Sequence, residues 1–201
     1  MIKKLFLLLI VSSVAYADDS FSFLELTKQR YSSYHFDPSK EISIDHIRLV
    51  GEAVRNTASS YNEQPWSFII CNKKTDPKAY NDLFSCLGSK NQSWAKDAPI
   101  LILAIAQKIS SYNHKPNIYA EYDVGAACIT LSYAAVNLGF HTHQMGGFNR
   151  ESVSSKFNIA SDFKPMTIIA MGYVKEEELP KKVRKPLNQV FYLGSLKKGL
   201  D

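Results

Sequence analysis

The chain has 201 residues, 45% of them hydrophobic, which suits one domain with a sizeable core and gives no composition shift that would mark a second. Its formal charge of +5 comes from Lys and Arg spread along the chain, apart from a short run at Lys181, Lys182, Arg184 and Lys185, so a nucleic-acid partner is not expected. Three cysteines, Cys71, Cys86 and Cys128, are too few for a disulfide framework, and Cys71 with Cys86 is the one conceivable bridge.

The amino-terminal segment reads as a leader. Lys3 and Lys4 precede an apolar run over residues 5–14, and Ala15 and Ala17 form an A-x-A cleavage signal. The run is too short to span a bilayer comfortably and ends in small residues that suit a peptidase. Residues 1–17 are therefore expected to be a signal peptide and residues 18–201 the mature domain, exported to the periplasm with a formal charge of +3. Every later apolar run is broken by charge, Gly or Pro, so no membrane association is expected after cleavage.

Residues 21–30 form a short helix, and Pro38 closes the segment after it. Over residues 43–57, Ser43 is placed to cap a helix with Ile44, Ile47, Val50 and Val54 at helical spacing. Residues 59–65 are a polar loop, and residues 66–71 (WSFIIC) have the aromatic and β-branched content of a strand. Thr75 and Pro77 open a helix that runs to Gly88; a loop holding Trp94 then leads past Pro99 to residues 100–106 (ILILAIA), an unbroken apolar run typical of a buried central strand.

Residues 117–138 are the longest helical stretch, apolar on most of the circumference and so expected to be buried all round. Gly125, Ala126, Ala127, Ala134 and Ala135 would let a second helix approach, which makes this helix the candidate center of a dimer, with Gly139 as its carboxyl-terminal cap. A strand at 140–145, a helix at 150–158 and a last core strand at 166–174 follow. Beyond Val174 the chain is polar and punctuated by Pro, without a core stripe until residues 190–193, so this arm has to lie against something else. The pattern is α+β: a small mixed sheet with helices on both faces, and a carboxyl-terminal arm.

Five short motifs carry the chemistry: RYSSYHF (30–36), SSYNEQPW (59–66), NQSWAKDAP (91–99), HQMGGF (143–148) and KVRKP (182–186). Each alone is weak, but all five in this order resemble the motifs of the FMN-dependent nitroreductases. The resemblance implies a nitroreductase-like three-layer sandwich and a homodimer with FMN at the subunit interface. On the matched positions, Arg30 and Ser32, with Tyr31 between them, would meet the FMN phosphate, and Lys182 and Arg184 would reach the same group. Ser59, Ser60 and Asn62 match a loop that crosses from the other subunit to cover the flavin, and Asn91 matches a residue at the ring edge.

Gln144, Met145, Gly146 and Gly147 match the segment whose backbone approaches the ring and presents an amide toward N5; Gly146 stands where many relatives have an acid. Tyr34 stands where the family usually has a cation near N1 and O2. The resemblance further implies two-electron transfer from NAD(P)H to a small nitroaromatic or quinone acceptor by a ping-pong mechanism, with no catalytic side chain. A specialised oxidase or dehalogenase, or an exported flavin-binding protein without turnover, are the rival readings. His141 and His143 alternate on one strand face, a spacing open to metal binding, although lining the flavin pocket is the better reading without a third ligand.

Overall fold

A computed structural model describes residues 23–175 and 182–200. The expected leader and the start of the first helix lie outside the described residues, as does Lys181. The chain forms, in order, α1 (Phe23–Gln29), α2 (Ile44–Arg55), a 3₁₀ turn (Ser60–Asn62), β1 (Trp66–Asn72), α3 (Pro77–Ser85) and α4 (Ser89–Ala95). Then come β2 (Ile100–Gln107), α5 (Ala120–Asn137), β3 (His141–Met145), α6 (Arg150–Lys156), β4 (Phe163–Gly172) and a second 3₁₀ turn (Leu187–Gln189) in the arm.

The strand order is β1-β2-β4-β3, and all three pairings are antiparallel, which corrects the expected mixed sheet. The reason is the insertion of β4. Helix α5 carries the chain back so that β3 runs parallel to β2, but β4 lies between them and opposes both. Strand β2 is central and almost wholly buried, as its apolar run requires. Its alternate residues feed two cores: Ile100, Ile102 and Ala104 pack with α2 and α5, whereas Leu101, Leu103 and Ile105 pack with α3, α4 and α6. This is a three-layer α+β sandwich.

Local chemistry explains most boundaries. Ser43 accepts from His46 N and starts α2. Helix α3 is capped by Asp76 rather than Thr75, because the Asp76 carboxylate accepts from Ala79 N with Pro77 in the first turn. It ends at Ser85, and Gly88 caps a new helix, so Trp94 sits on α4 and not in a loop. Strand β4 begins at Phe163, before Pro165. The register shift opposite, between Ala104 and Ile105, absorbs the missing ladder donor.

Helix α5 is not buried all round in the single chain. Val124, Ala127, Cys128, Leu131 and Ala135 face the core, whereas Tyr122, Gly125 and Ile129 are exposed. Gly139, at φ 83°, ends the helix in the left-handed conformation that glycine tolerates. Cys71, Cys86 and Cys128 are buried free thiols, so the conceivable bridge is not formed. Burial pushes the Cys71 and Cys128 thiols up to about 12, which keeps them protonated and unreactive. Among the described residues no helix is long and apolar enough to cross a membrane.

Candidate active site

Helix α1 ends at Gln29, with Arg30 N still donating to Leu26 O, and the chain then runs extended until Phe36 bridges Val174. This lays residues 30–36 beside the outer strand β3. The buried ring of Tyr31 packs on His141 at 4.5 Å, and the Ser33 carbonyl lies 2.9 Å from His143 Nδ1. Ser32, half-buried, lies between them. From the other end of the chain Lys182 and Arg184 come up to the same place, and with Thr27, Lys28, Arg30 and Tyr31 they line a cleft of about 330 Å³. Lys28 is held by Glu25 at 2.6 Å, so Arg30, Lys182 and Arg184 carry most of the positive charge available to a ligand. Thr27 and Lys28 were not singled out from sequence; their position one turn before Tyr31 was the available signal.

Farther along β3, the site becomes aromatic and then polar. Tyr34 meets His143 at 4.6 Å and Trp94 at 5.1 Å, and Trp94 meets His143 at 4.5 Å. The chain then opens at Gly146, where an added Cβ would touch nothing within 4 Å. Gly147 is tight by contrast: its carbonyl accepts from Gly88 N at 3.0 Å and Asn91 Nδ2 at 3.2 Å, and a Cβ there would lie 3.3 Å from Asn91 Nδ2. Asn91 and Gly147 are thus brought together as the motifs imply. Met145 and Gln144 are placed differently. The Met145 side chain is in the core, and Gln144 Nε2 donates across to Cys128 O on α5, so only their backbones follow this edge.

Ser59, Ser60 and Asn62 sit before β1, on the opposite edge of the sheet from β3. Three strand spacings, roughly 14 Å, separate the two edges. Tyr61, Asn62 and Gln64 all adopt left-handed backbone, at φ 52°, 55° and 49°. The strain is held by outside contacts: Ser60 N donates to buried Asp123, in the first turn of α5, at 3.1 Å, and the Glu63 carboxylate accepts from Ser110 Oγ and Asn117 Nδ2. Within one chain this loop does not line the cationic cleft.

His141 and His143 occupy one face of β3, as their alternation requires, and among the described residues no cluster fit to hold a metal ion includes them. Burial lowers both below the ordinary value of 6.5, and the charges of Arg30 at His141 and of Lys182 at His143 push the same way. Depressed histidines destabilise the fold in acid, since the unfolded chain binds protons first. The ligand-free protein is expected to be fully stable above pH 6.5 and to lose stability as pH falls through that value, levelling off below the folded pKa values. Thermal melts of wild type and the His141→Gln, His143→Gln double variant, compared from pH 8 to 5, should show the variant losing less stability as the pH falls.

The chain can be set against known proteins. The model of the nitroreductase family matches residues 27–173. The major NAD(P)H-flavin oxidoreductase of Aliivibrio fischeri is 36% identical over 83 residues, covering 41% of this chain and 38% of that protein. Protein DrgA of a Synechocystis species is 26% identical over 197 residues, covering 84% and 91%. The crystal structure of an oxidoreductase containing FMN superimposes with a TM-score of 0.78 at 29% identity, covering 86% of this chain and 92% of that one. With the family's motifs in order and its three-layer sandwich in place, the chain belongs to the nitroreductase family.

Proposed function

We propose that the protein is an FMN-dependent oxidoreductase that takes electrons from NAD(P)H and delivers two of them to a small nitroaromatic or quinone acceptor. The observation that carries this reading is the sequence of environments along β3: a cationic cleft, an aromatic wall, then a glycine and an amide edge. FMN has the same succession, a phosphate, a linker and a flat polar ring. Arg30, Lys182 and Arg184 neutralise the phosphate, and Ser32, next in the chain to Tyr31 but outside the lining of the cleft, is the hydroxyl proposed to join them. Asn91 and the backbone at Gly146 and Gly147 orient the ring edge, while Tyr34, Trp94 and His143 exclude water from one side. Bound FMN supplies hydride acceptance and release, so no side chain of this chain need serve as acid or base. NAD(P)H and acceptor then use one exposed ring face in turn.

The reading requires a homodimer. Tyr122, Gly125, Ala126, Ile129 and Tyr133 recur at helical spacing on the outer face of α5, and Tyr122 is 78% exposed. The arm exposes Val183, Leu187, Val190, Phe191 and Leu196, and among its described residues from Lys182 onward the one isolated bridge joins Tyr192 to Gly199 within the arm. A second copy covers both surfaces and brings its own Ser59, Ser60 and Asn62 over the flavin. Steady-state rates at several fixed acceptor concentrations test the mechanism: parallel double-reciprocal lines are expected, and intersecting lines would contradict a shared ring face. The leader reading is tested separately, by amino-terminal sequencing of protein from its native cell. A mature start near Asp18 is expected, whereas intact Met1 would remove the periplasmic assignment.

A further inference from the structure

The imidazole of His141 stands behind the cationic cleft, and His143 follows two residues on along the same face of β3. Tyr31, which lines the cleft, packs on His141 at 4.5 Å, and the ring nitrogen His141 Nδ1 is buried with no hydrogen-bond partner. The Tyr31 backbone favours the charged form of the His141 ring, against burial and the charge of Arg30. His143 has Nδ1 tied to the Ser33 carbonyl, so in its neutral form Nδ1 is the donor and Nε2 the atom free to take a proton. Among the described residues, the groups facing the pair are cationic or neutral: Arg30 and Tyr31 beside His141, Tyr34, Trp94 and Lys182 around His143, with Arg184 in the cleft. Strand β4 presents Gly172 and Ala170 opposite them.

We propose that His141 and His143 are the proton-accepting part of the anion site, so that filling the cleft with a phosphate ester is coupled to proton uptake by this pair. This rests on the FMN reading above. In the empty cleft, Arg30 and Lys182 oppose a positive charge on the rings, in addition to burial. A phosphate with close to two negative charges cancels those cations and adds an attraction of its own. One proton per ring then moves from solvent to nitrogen, and no other bond changes. Binding of the phosphate ester therefore strengthens toward acid until the phosphate itself is protonated.

Calorimetric titration of the flavin-free chain with FMN at pH 7, in buffers of different ionisation enthalpy, measures the protons taken up. A substantial fraction of a proton, up to about two, is expected with FMN, and none with riboflavin, which has the same ring and no phosphate. His141→Gln with His143→Gln should still bind FMN but take up no proton. Its FMN affinity should change with pH less steeply than wild type, by up to about tenfold per pH unit for each proton lost. Histidine ring NMR of wild type, before and after FMN, gives the same answer without a variant: both rings should shift to the imidazolium signature. FMN binding without proton uptake, or equal uptake with riboflavin, overturns the coupling and leaves the FMN reading standing. Absence of FMN binding overturns both.

Discussion

Arg184→Ala is expected to weaken FMN binding by about 2 kcal/mol, roughly thirtyfold, measured as flavin lost on dialysis or as Kd by fluorescence. Arg184 shares the 330 Å³ cleft with Arg30 and Lys182, so the guanidinium contributes charge-assisted hydrogen bonds to a group carrying close to two negative charges. Its removal takes one fork from the proposed clamp and leaves the Asn91–Gly147 pair, proposed to meet the ring edge, intact. The variant refilled with excess FMN should therefore recover much of its turnover. Retention of FMN through dialysis would show that the arm does not hold the phosphate.

Ile129→Glu is expected to convert the proposed dimer to monomers. Ile129 lies mid-stripe on the outer face of α5, between Tyr122 and Tyr133, and is 38% exposed in the single chain. A carboxylate there costs the monomer fold little, but buried between two copies of α5 it loses its water without gaining a partner, at several kcal/mol. Sedimentation should give twice the chain mass for wild type at micromolar concentration and the chain mass for the variant. The variant should also lose FMN, because Ser59, Ser60 and Asn62 no longer close the partner's site. A wild-type monomer that keeps its FMN would contradict the interface.

These effects were foreseeable to different degrees from the residues. The apolar run of β2, the Ser43 cap of α2 and the Gly139 stop of α5 are local signals, and each element appears where its chemistry places it. Helix α4 was not legible: SKNQSWA has no apolar stripe, and Gly88 reads as a stop when it serves as the next cap. The strand across Pro165 was missed for a similar reason, since only the bulge at Ala104 and Ile105 makes Pro tolerable there. Helix α5 misled in another way. Its composition reads as burial all round, whereas the single chain leaves Tyr122 and Ile129 in solvent.

At the site, motif order paired Arg30 with Lys182 and Arg184, and Asn91 with Gly147, across long stretches of chain. It did not foretell that Trp94 would wall the same edge against His143, because that contact depends on the unforeseen helix α4. Nor did it place Gln144 against α5, which follows from β3 alternation once the sheet's faces are known.

The central claim, a flavin enzyme reduced by nicotinamide, is tested most directly by the visible spectrum of the purified protein during anaerobic titration with NADH and with NADPH. The expected result is a flavin spectrum with about one FMN per chain, bleached stoichiometrically by one or both donors and restored by a nitroaromatic or quinone. A colourless protein that takes up no FMN would contradict the cofactor assignment, and a bound flavin that neither donor reduces would make the protein a flavin carrier instead of an oxidoreductase.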